Sequence, residues 1–501
     1  MNTNAELILA IDLSATTIRC TLFAFDGTTV TSSAHPIELN NPAPDCYELN
    51  PEQIWNALLD ILADLMQQYD LSQIAAVGIV SQRSHCLLWD KATGEPLGPA
   101  LAWNDRRTEP FVAALRDAGH ALLVQVTTGM PLQGYYSASK LRWLLDHQAG
   151  AGGLLAVGQL AGGTLECWLL WRLSNGRTFA TDYSNGQRTQ LQNINSLQWS
   201  PELARLFSVP LDILPKLQPA ASIWGRTQIP KLLQFHAPIS ALASGSAATL
   251  IGHGAFEPGI ATCTYNNSLT VTLFHGSRPV STREAQNIIA YNSKGELAYA
   301  LNNIILGGAL ALEWCCNRLT AFSSIDELLN LATSATGDDQ VIFVPAFNGM
   351  NKDQYANNAR AAVLGLHFTT DRSSIARAAV ESIAFQIVDT FNHLQTCGKI
   401  APTRLLADGR LARSDLLLQL QADLLGLPVE RASQADLAAL GIAYLAGKGA
   451  GLPISQHFLT RGRGRIDRFY PQIDEANRKR RLNLWHTGIE RAANWETLAA
   501  G

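Results

Sequence analysis

Asp12 closes an apolar run, Leu7–Ile11, and hydroxyls follow it: Ser14, Thr16 and Thr17, with Arg19 just beyond. Loops rich in Gly, Ser and Thr bring backbone N–H groups close to an anion, and a carboxylate beside them suits a hard cation. The chemistry served by such a set is phosphate handling. From these residues alone, an aspartate that merely ends a strand is an equally good reading. Asn266-Asn267-Ser268, between two strand-like runs, and Asp408-Gly409, at the end of Leu405–Asp408, are further turns placed where strands finish. The eight cysteines are scattered, without a C-x-x-C pair or a histidine at metal-ligand spacing, so they read as small buried hydrophobes in a reducing compartment.

The elements that would position these turns follow from periodicity. Ile18–Phe25 alternates as a strand, and Asp26-Gly27 turns it into Thr28–Ser32. Glu52–Tyr69 carries apolar residues at helical spacing, and Ile74–Val80 reads as a buried strand. Gly259–Phe274 repeats the opening pattern of strand, polar turn, strand. Helices are expected over Ser414–Leu425 and Gln434–Gly447, and the glycine-rich Gly150–Thr164 reads as loop and buried turn. The pattern is α/β, with an echo between halves that suggests a duplicated domain linked near Phe235–Gly254.

The chain has 501 residues, too many for one core, so two to four domains are expected. With 47% hydrophobic and 16% charged residues it is not a disordered chain, and a formal charge of −4 gives no reason to expect nucleic acid or an anionic membrane as partner. The start lacks a basic n-region and no apolar stretch is long enough to span a bilayer, so a cytoplasmic location is expected.

Ordered blocks along nearly the whole length resemble the FGGY carbohydrate kinases, and among them the glycerol kinases. They include Gln82-Arg83, Ala102-Trp103-Asn104-Asp105-Arg106-Arg107-Thr108, Tyr135-Tyr136-Ser137, Thr181-Asp182-Tyr183-Ser184-Asn185, Phe343-Val344-Pro345-Ala346-Phe347 and Ala439-Leu440-Gly441-Ile442-Ala443-Tyr444. The resemblance implies two actin/hexokinase-like (ribonuclease H-like) domains with a central cleft, expected over 1–245 and 246–501. It also implies ATP with Mg²⁺, and a small polyol or sugar as acceptor. A protein partner or a homo-oligomer is a further expectation.

Transfer of a phosphoryl group to a hydroxyl needs positioning, charge neutralisation and a carboxylate that accepts the proton. Measured against the family's motifs, the scaffold blocks agree and the reacting ones depart. In the first phosphate loop Asp12 remains for Mg²⁺, with Thr16, Thr17 and Arg19, but glycine has become Ser14 and threonine Ala15. The second loop, Gly-Thr-Gly in the family, falls on Asn266, Asn267 and Ser268. The adenosine loop reads Asp408-Gly409-Arg410-Leu411, where Arg410 is expected either to obstruct the nucleotide or to reach a phosphate. The family's catalytic aspartate falls on Gly245, and no acidic residue occurs between Asp212 and Glu257 to replace it. On the acceptor side Arg83, Trp103 and Tyr135 are kept, the glutamate has become Ser84, and Thr270 replaces an aromatic. His85 is the candidate replacement base, set against an ordinary structural histidine. A further loop, Gly349–Ala356, has lost its family Pro, Trp and Asp and gained Lys352 and Asp353. Two expectations follow: a protein whose phosphotransfer is lost or strongly reduced, and, as alternative, an active kinase with a relocated base and altered substrate.

Overall fold

The computed structural model describes residues 6–14, 16–230, 232–335, 340–347, 349, 359–493 and 495, apart from the side chain of residue 306. It is an α/β protein of two compact units. The first takes in the chain as far as Phe256 and then Gly276–Ala300 and Asp436–Gly464; the second takes Glu257–His275, Leu301–Ala435 and Arg465 onward.

In the first unit β1 (Leu7–Leu13), β2 (Thr17–Ala24), β3 (Thr29–Pro36), β4 (Ile74–Ser81), β5 (Ala221–Arg226) and β6 (Pro238–Ser244) form one sheet in the order β5-β6-β4-β1-β2-β3. β1 runs parallel to β4, and β4 to β6, while the β1–β2–β3 meander is antiparallel. The parallel strands are apolar on both faces because both faces are covered. One face (Leu9, Ile11, Val77, Ile79) packs on the helix Pro51–Gln68 through Ile54, Leu58, Ile61 and Leu65. That helix starts where Asn50 accepts hydrogen bonds from the Glu52 and Gln53 amides ahead of Pro51. The other face takes the helix Leu437–Gly449, so closely that a Cβ on Gly78 would lie 2.7 Å from the Ile442 carbonyl oxygen. Gly27, at φ 91°, makes the turn between β2 and β3 that Asp26-Gly27 predicts.

The expected split into 1–245 and 246–501 therefore does not coincide with these units. The helix Gly245–His253 lies against the helix Leu437–Gly449, and a Cβ on Gly441 or Gly252 would run into the backbone of Ala248 or Leu437. Backbone-to-backbone approach of this kind ties both helices to the first unit. Gly150–Thr164 is also more regular than expected: a helix, Ala151–Ala156, and a buried strand, Leu160–Thr164. Gly162 serves packing rather than turning, since a Cβ there would sit 2.9 Å from the Leu88 and Ile213 side chains.

In the second unit β7 (Ile260–Tyr265) is antiparallel to β8 (Ser268–Gly276) and parallel to β9 (Arg404–Asp408). β9 is parallel to β10 (Val429–Ala432), which pairs antiparallel with β11 (Ile466–Phe469). The helix Arg372–Gly398 is anchored by Trp485, whose indole stacks on Phe385 and donates to buried Asp389 at 2.7 Å. The eight cysteines are free thiols, six of them buried. Among the described residues no helix is long and apolar enough to cross a membrane.

Candidate functional site

In the first unit, β1 delivers Asp12 beside Arg19 of β2. Burial, with Asp436 close by, raises the Asp12 carboxyl to about 7, against a smaller lowering by Arg19. Asp436 also caps the helix Leu437–Gly449 and lies 3.4 Å from the Arg19 guanidinium. The β1–β2 turn is closed on itself. Ser14 Oγ accepts from the Thr17 amide at 3.1 Å and, at a long 3.4 Å, from that of Thr16. The same hydroxyl lies 3.0 Å from the Thr17 carbonyl and 2.8 Å from its Oγ1, and the Ser14 amide donates to the Thr17 carbonyl at 2.9 Å. The residue standing where the family has glycine thus takes up backbone donors that an anion would need. Ala15 lies outside the described residues.

In the second unit the turn Asn266-Asn267 and the loop after β9 meet. Gly409, at φ 94°, approaches so closely that a Cβ would lie 2.7 Å from the Tyr265 carbonyl oxygen. The Arg410 amide donates to Asn266 Oδ1 at 2.9 Å, and the Ala309 amide donates to the Asn266 carbonyl at 3.1 Å. The Arg410 guanidinium reaches Asn267 Oδ1 at 3.3 Å and Glu313 at 2.6 Å, a half-exposed ion pair. Arg410 therefore lies across the turn that the sequence assigns to phosphate, held there by a glutamate of the helix Gly308–Asn317. Ser268 begins β8, and Thr270 on β8 pairs with Thr264. Gln419, Gln421 and Asp423 make structural hydrogen bonds, to Tyr470, Tyr265 and Gln472 respectively. Met350–Ala356, with Lys352 and Asp353, lie outside the described residues.

Gly245 is the first residue of its helix, and a Cβ there would find only the Ser81 carbonyl, at 3.6 Å. A Cβ is therefore accommodated at Gly245. Two nearby acids escaped sequence reasoning. Asp182 accepts from Ser184, Asn185 and Tyr291, and Ser184 in turn accepts from the Ser244 amide. Glu166, pushed up to about 7 by burial, is surrounded by the hydroxyls of Ser81, Thr164 and Thr181. Both are fully buried with their oxygens occupied, which is the signature of structural acids. For Asp182 the signal was its place before Tyr183-Ser184-Asn185, as a helix N-cap.

On the acceptor side the first unit brings Arg83, Ser84, His85, Trp103 and Tyr135 into one region. The rings of Trp103 and Tyr135 are 5.4 Å apart, and Tyr135 meets Tyr136 edge-on at 5.2 Å. Lys140, fully buried, donates to the carbonyls of Ala102, Trp103 and Tyr135, fixing the two segments together. Ser84 sits at φ 69°, an uncommon left-handed place for a serine, with its hydroxyl 3.5 Å from the Arg188 carbonyl. His85 is buried with neither ring nitrogen hydrogen-bonded, and burial with the Lys140 charge pushes it down to about 3. Such an imidazole stays neutral and is a feeble base, so the geometry does not favour the proton-accepting role considered for it. Arg188 was missed: its guanidinium lies 4.8 Å from the Tyr136 ring centre and 5.3 Å from that of Tyr135. Its position just after the Thr181–Asn185 block was the available signal.

Comparison with known proteins accounts for this arrangement. Residues 7–252 match the N-terminal domain, and residues 267–450 the C-terminal domain, of the FGGY family of carbohydrate kinases. A glycerol kinase of Rhodopirellula baltica is 35% identical over 495 residues, covering 98% of this chain and 92% of the relative. One of Citrifermentans bemidjiense is 35% identical over 494 residues, covering 98% and 99%. Among solved structures, Plasmodium falciparum glycerol kinase with ADP superposes with a TM-score of 0.91 at 26% identity, covering 97% of this chain and 98% of that one. A gluconate kinase from Lactobacillus acidophilus, at 21% identity and TM-score 0.86, covers 98% and 99% and shares the fold.

Proposed function

This chain belongs to the FGGY family of carbohydrate kinases, and on that premise we propose that it keeps the scaffold and an acceptor-side pocket while its phosphotransfer is lost or strongly reduced. The observation that carries this reading is Gly245: where an alcohol would surrender its proton, the helix begins on a residue without a side chain. Loss of a general base costs about 10²–10⁴-fold, or roughly 3–5 kcal/mol of barrier. The neighbouring carboxylates of Asp182 and Glu166 are already bonded on both oxygens, and His85 is too weak a base to stand in.

The residues present fit the two expected cofactors unequally. Asp12, with Asp436 nearby, offers hard oxygen donors of the kind Mg²⁺ takes. ATP fits poorly. A phosphate cradle needs open amides, whereas Ser14 Oγ occupies that of Thr17 and Asn266 Oδ1 occupies that of Arg410. Arg410 itself is turned to Glu313.

Purified protein assayed with ATP, Mg²⁺ and a panel of polyols, ketoses and sugar acids is expected to turn over at no more than a hundredth of ordinary kinase rates, which run at ~1–100 s⁻¹. Turnover within that range on any acceptor would reject the reading in favour of an active kinase with a relocated base.

A further inference from the structure

Two guanidinium groups in the acceptor region lack a counter-charge among the described residues. Arg188 is 1% exposed, its Nε and one Nη find no hydrogen-bond partner, and its other Nη reaches only neutral groups, Met130 Sδ at 3.2 Å and Gln286 at 3.4 Å. Arg83 makes no side-chain hydrogen bond or ion pair among the described residues and, unlike Arg188, is only half-buried. Arg83 adjoins Ser84, whose hydroxyl lies 3.5 Å from the Arg188 carbonyl, and burial with the charge of Arg188 brings Arg83 down to about 10. The local carboxylates are committed elsewhere: Asp105 and Glu48 both bind Arg107, at 2.9 and 2.8 Å. Lys140 satisfies its three donors on carbonyls. Ser84, next to Arg83 in the sequence, brings no charge.

A buried charge without a partner is costly, and the usual remedy is an ion of opposite sign. We infer that the Arg83–Arg188 pair, walled by Tyr135 and Trp103, is a binding site for a small hydroxylated anion, a carboxylated or phosphorylated polyol rather than a neutral one. Guanidinium forks match carboxylate and phosphate oxygens two at a time, and the aromatic walls suit the C–H faces of a short polyol. The inference rests on the preceding reading only in taking the acceptor-side pocket as still open, and it is tested by binding, not turnover.

The test is calorimetric titration of the full chain with matched pairs, glycerate against glycerol and gluconate against glucitol, with inorganic phosphate as a bare anion. Charge-assisted hydrogen bonds are worth about 1.5–3 kcal/mol, so the acid of a pair is expected to bind roughly 10- to 100-fold tighter than its neutral partner. Arg83→Gln should abolish that preference, with circular dichroism showing that the fold is kept. Ser84→Glu, which adds an internal carboxylate, should weaken the acids by at least about tenfold without weakening the neutral polyols. If phosphate alone binds and Arg83→Gln removes it, the anion site stands with phosphate esters as its ligands. Equal binding of acid and neutral partner, or no binding of any anion at about 10 mM, a Kd weaker than any specific site needs, would overturn the inference. Phosphoryl transfer to one of the acids would refute the silent reading and support the anion site.

Discussion

Putting the carboxylate back is the sharpest way to separate a missing base from a spoiled site. Gly245→Asp is sterically cheap, since only the Ser81 carbonyl lies near the new Cβ, at 3.6 Å. An acid at a helix N-terminus is also worth ~0.3–1 kcal/mol of stability, so the variant is expected to fold. If absence of the base were the whole defect, the substitution would recover about 10²–10⁴-fold in turnover. The loops predict otherwise. The base contributes only when donor and acceptor are held in line, and that positioning can be worth ~7–11 kcal/mol. Here a phosphate would first have to displace a side chain in either unit: the Ser14 hydroxyl from the Thr17 amide in the first, the Asn266 side chain from the Arg410 amide in the second. Each such bond is worth about 0.5–1.5 kcal/mol net, and its donor is presented to a protein oxygen instead of a ligand.

Gly245→Asp alone is therefore expected to raise coupled-assay turnover less than about tenfold, well below the lower bound for a restored base. Adding Ser14→Gly, Asn266→Gly and Arg410→Gly, which free the Thr17 amide and the amide of residue 410, should raise it by at least a further ~100-fold, because the base then acts on positioned groups. The Arg410–Glu313 pair is half-exposed, so removing it should cost at most ~1 kcal/mol of stability. Recovery of ordinary kinase rates, ~1–100 s⁻¹, by the single variant would refute the claim that the loops are closed.

Two further outcomes follow from the packing and charge of the first unit. Glu166 titrates near 4.5 when unfolded and is raised to about 7 by burial, so the folded chain holds its proton more tightly. Its contribution is fully present below about pH 4.5 and is lost as pH rises through 7, by up to ~3 kcal/mol at 1.36 kcal/mol per unit; Glu166→Gln should accordingly raise Tm relative to the native chain more at pH 8 than at pH 5, and an equal shift at both would sink the assignment. Gly441→Ala drives a methyl into the Ala248 backbone, where neither helix can give way. It should cost at least ~2 kcal/mol in urea unfolding, at the upper end of overpacking penalties, whereas a change within experimental error would mean that the two helices are not so closely joined.

Much of this was legible in the residues because it depends on local chemistry. Leu7–Ile11 ending in Asp12, the Asp26-Gly27 turn and the Ile54-Leu58-Ile61-Leu65 stripe each specify their element without help from elsewhere, and β1, the β2–β3 turn and the first long helix lie where they were expected. What stayed hidden depends on partners far apart in the chain. The role of Ser14 is to bond forward onto Thr17, which a residue type cannot announce. Arg410 could have obstructed the nucleotide or reached a phosphate, and its bond to Glu313, 97 residues away, could not be read from the sequence. Glycine misled most at Gly150–Thr164, since glycine serves close packing of a buried strand as readily as it serves a turn. The assignment of Gly276–Ala300 and Asp436–Gly464 to the first unit was invisible for the same reason.

A loop that cradles an anion has to keep donors unsatisfied in the protein alone, which costs stability until the ligand arrives. The departures at Ser14, Asn266 and Arg410 remove that cost. Ser14 closes the first turn, Asn266 closes the second onto Arg410 and Ala309, and Glu313 neutralises the arginine that crosses it. Arg83 and Arg188 go the other way: they are buried or half-buried without a counter-charge among the described residues. Substitution that merely relaxed an idle site would relieve both costs, and the arginines would be expected to give way to neutral residues, because an unpaired buried cation is the more expensive defect. Unmet charge on the acceptor side, beside satisfied loops on the phosphate side, is the combination that the proposed reading, binding kept and transfer reduced, requires.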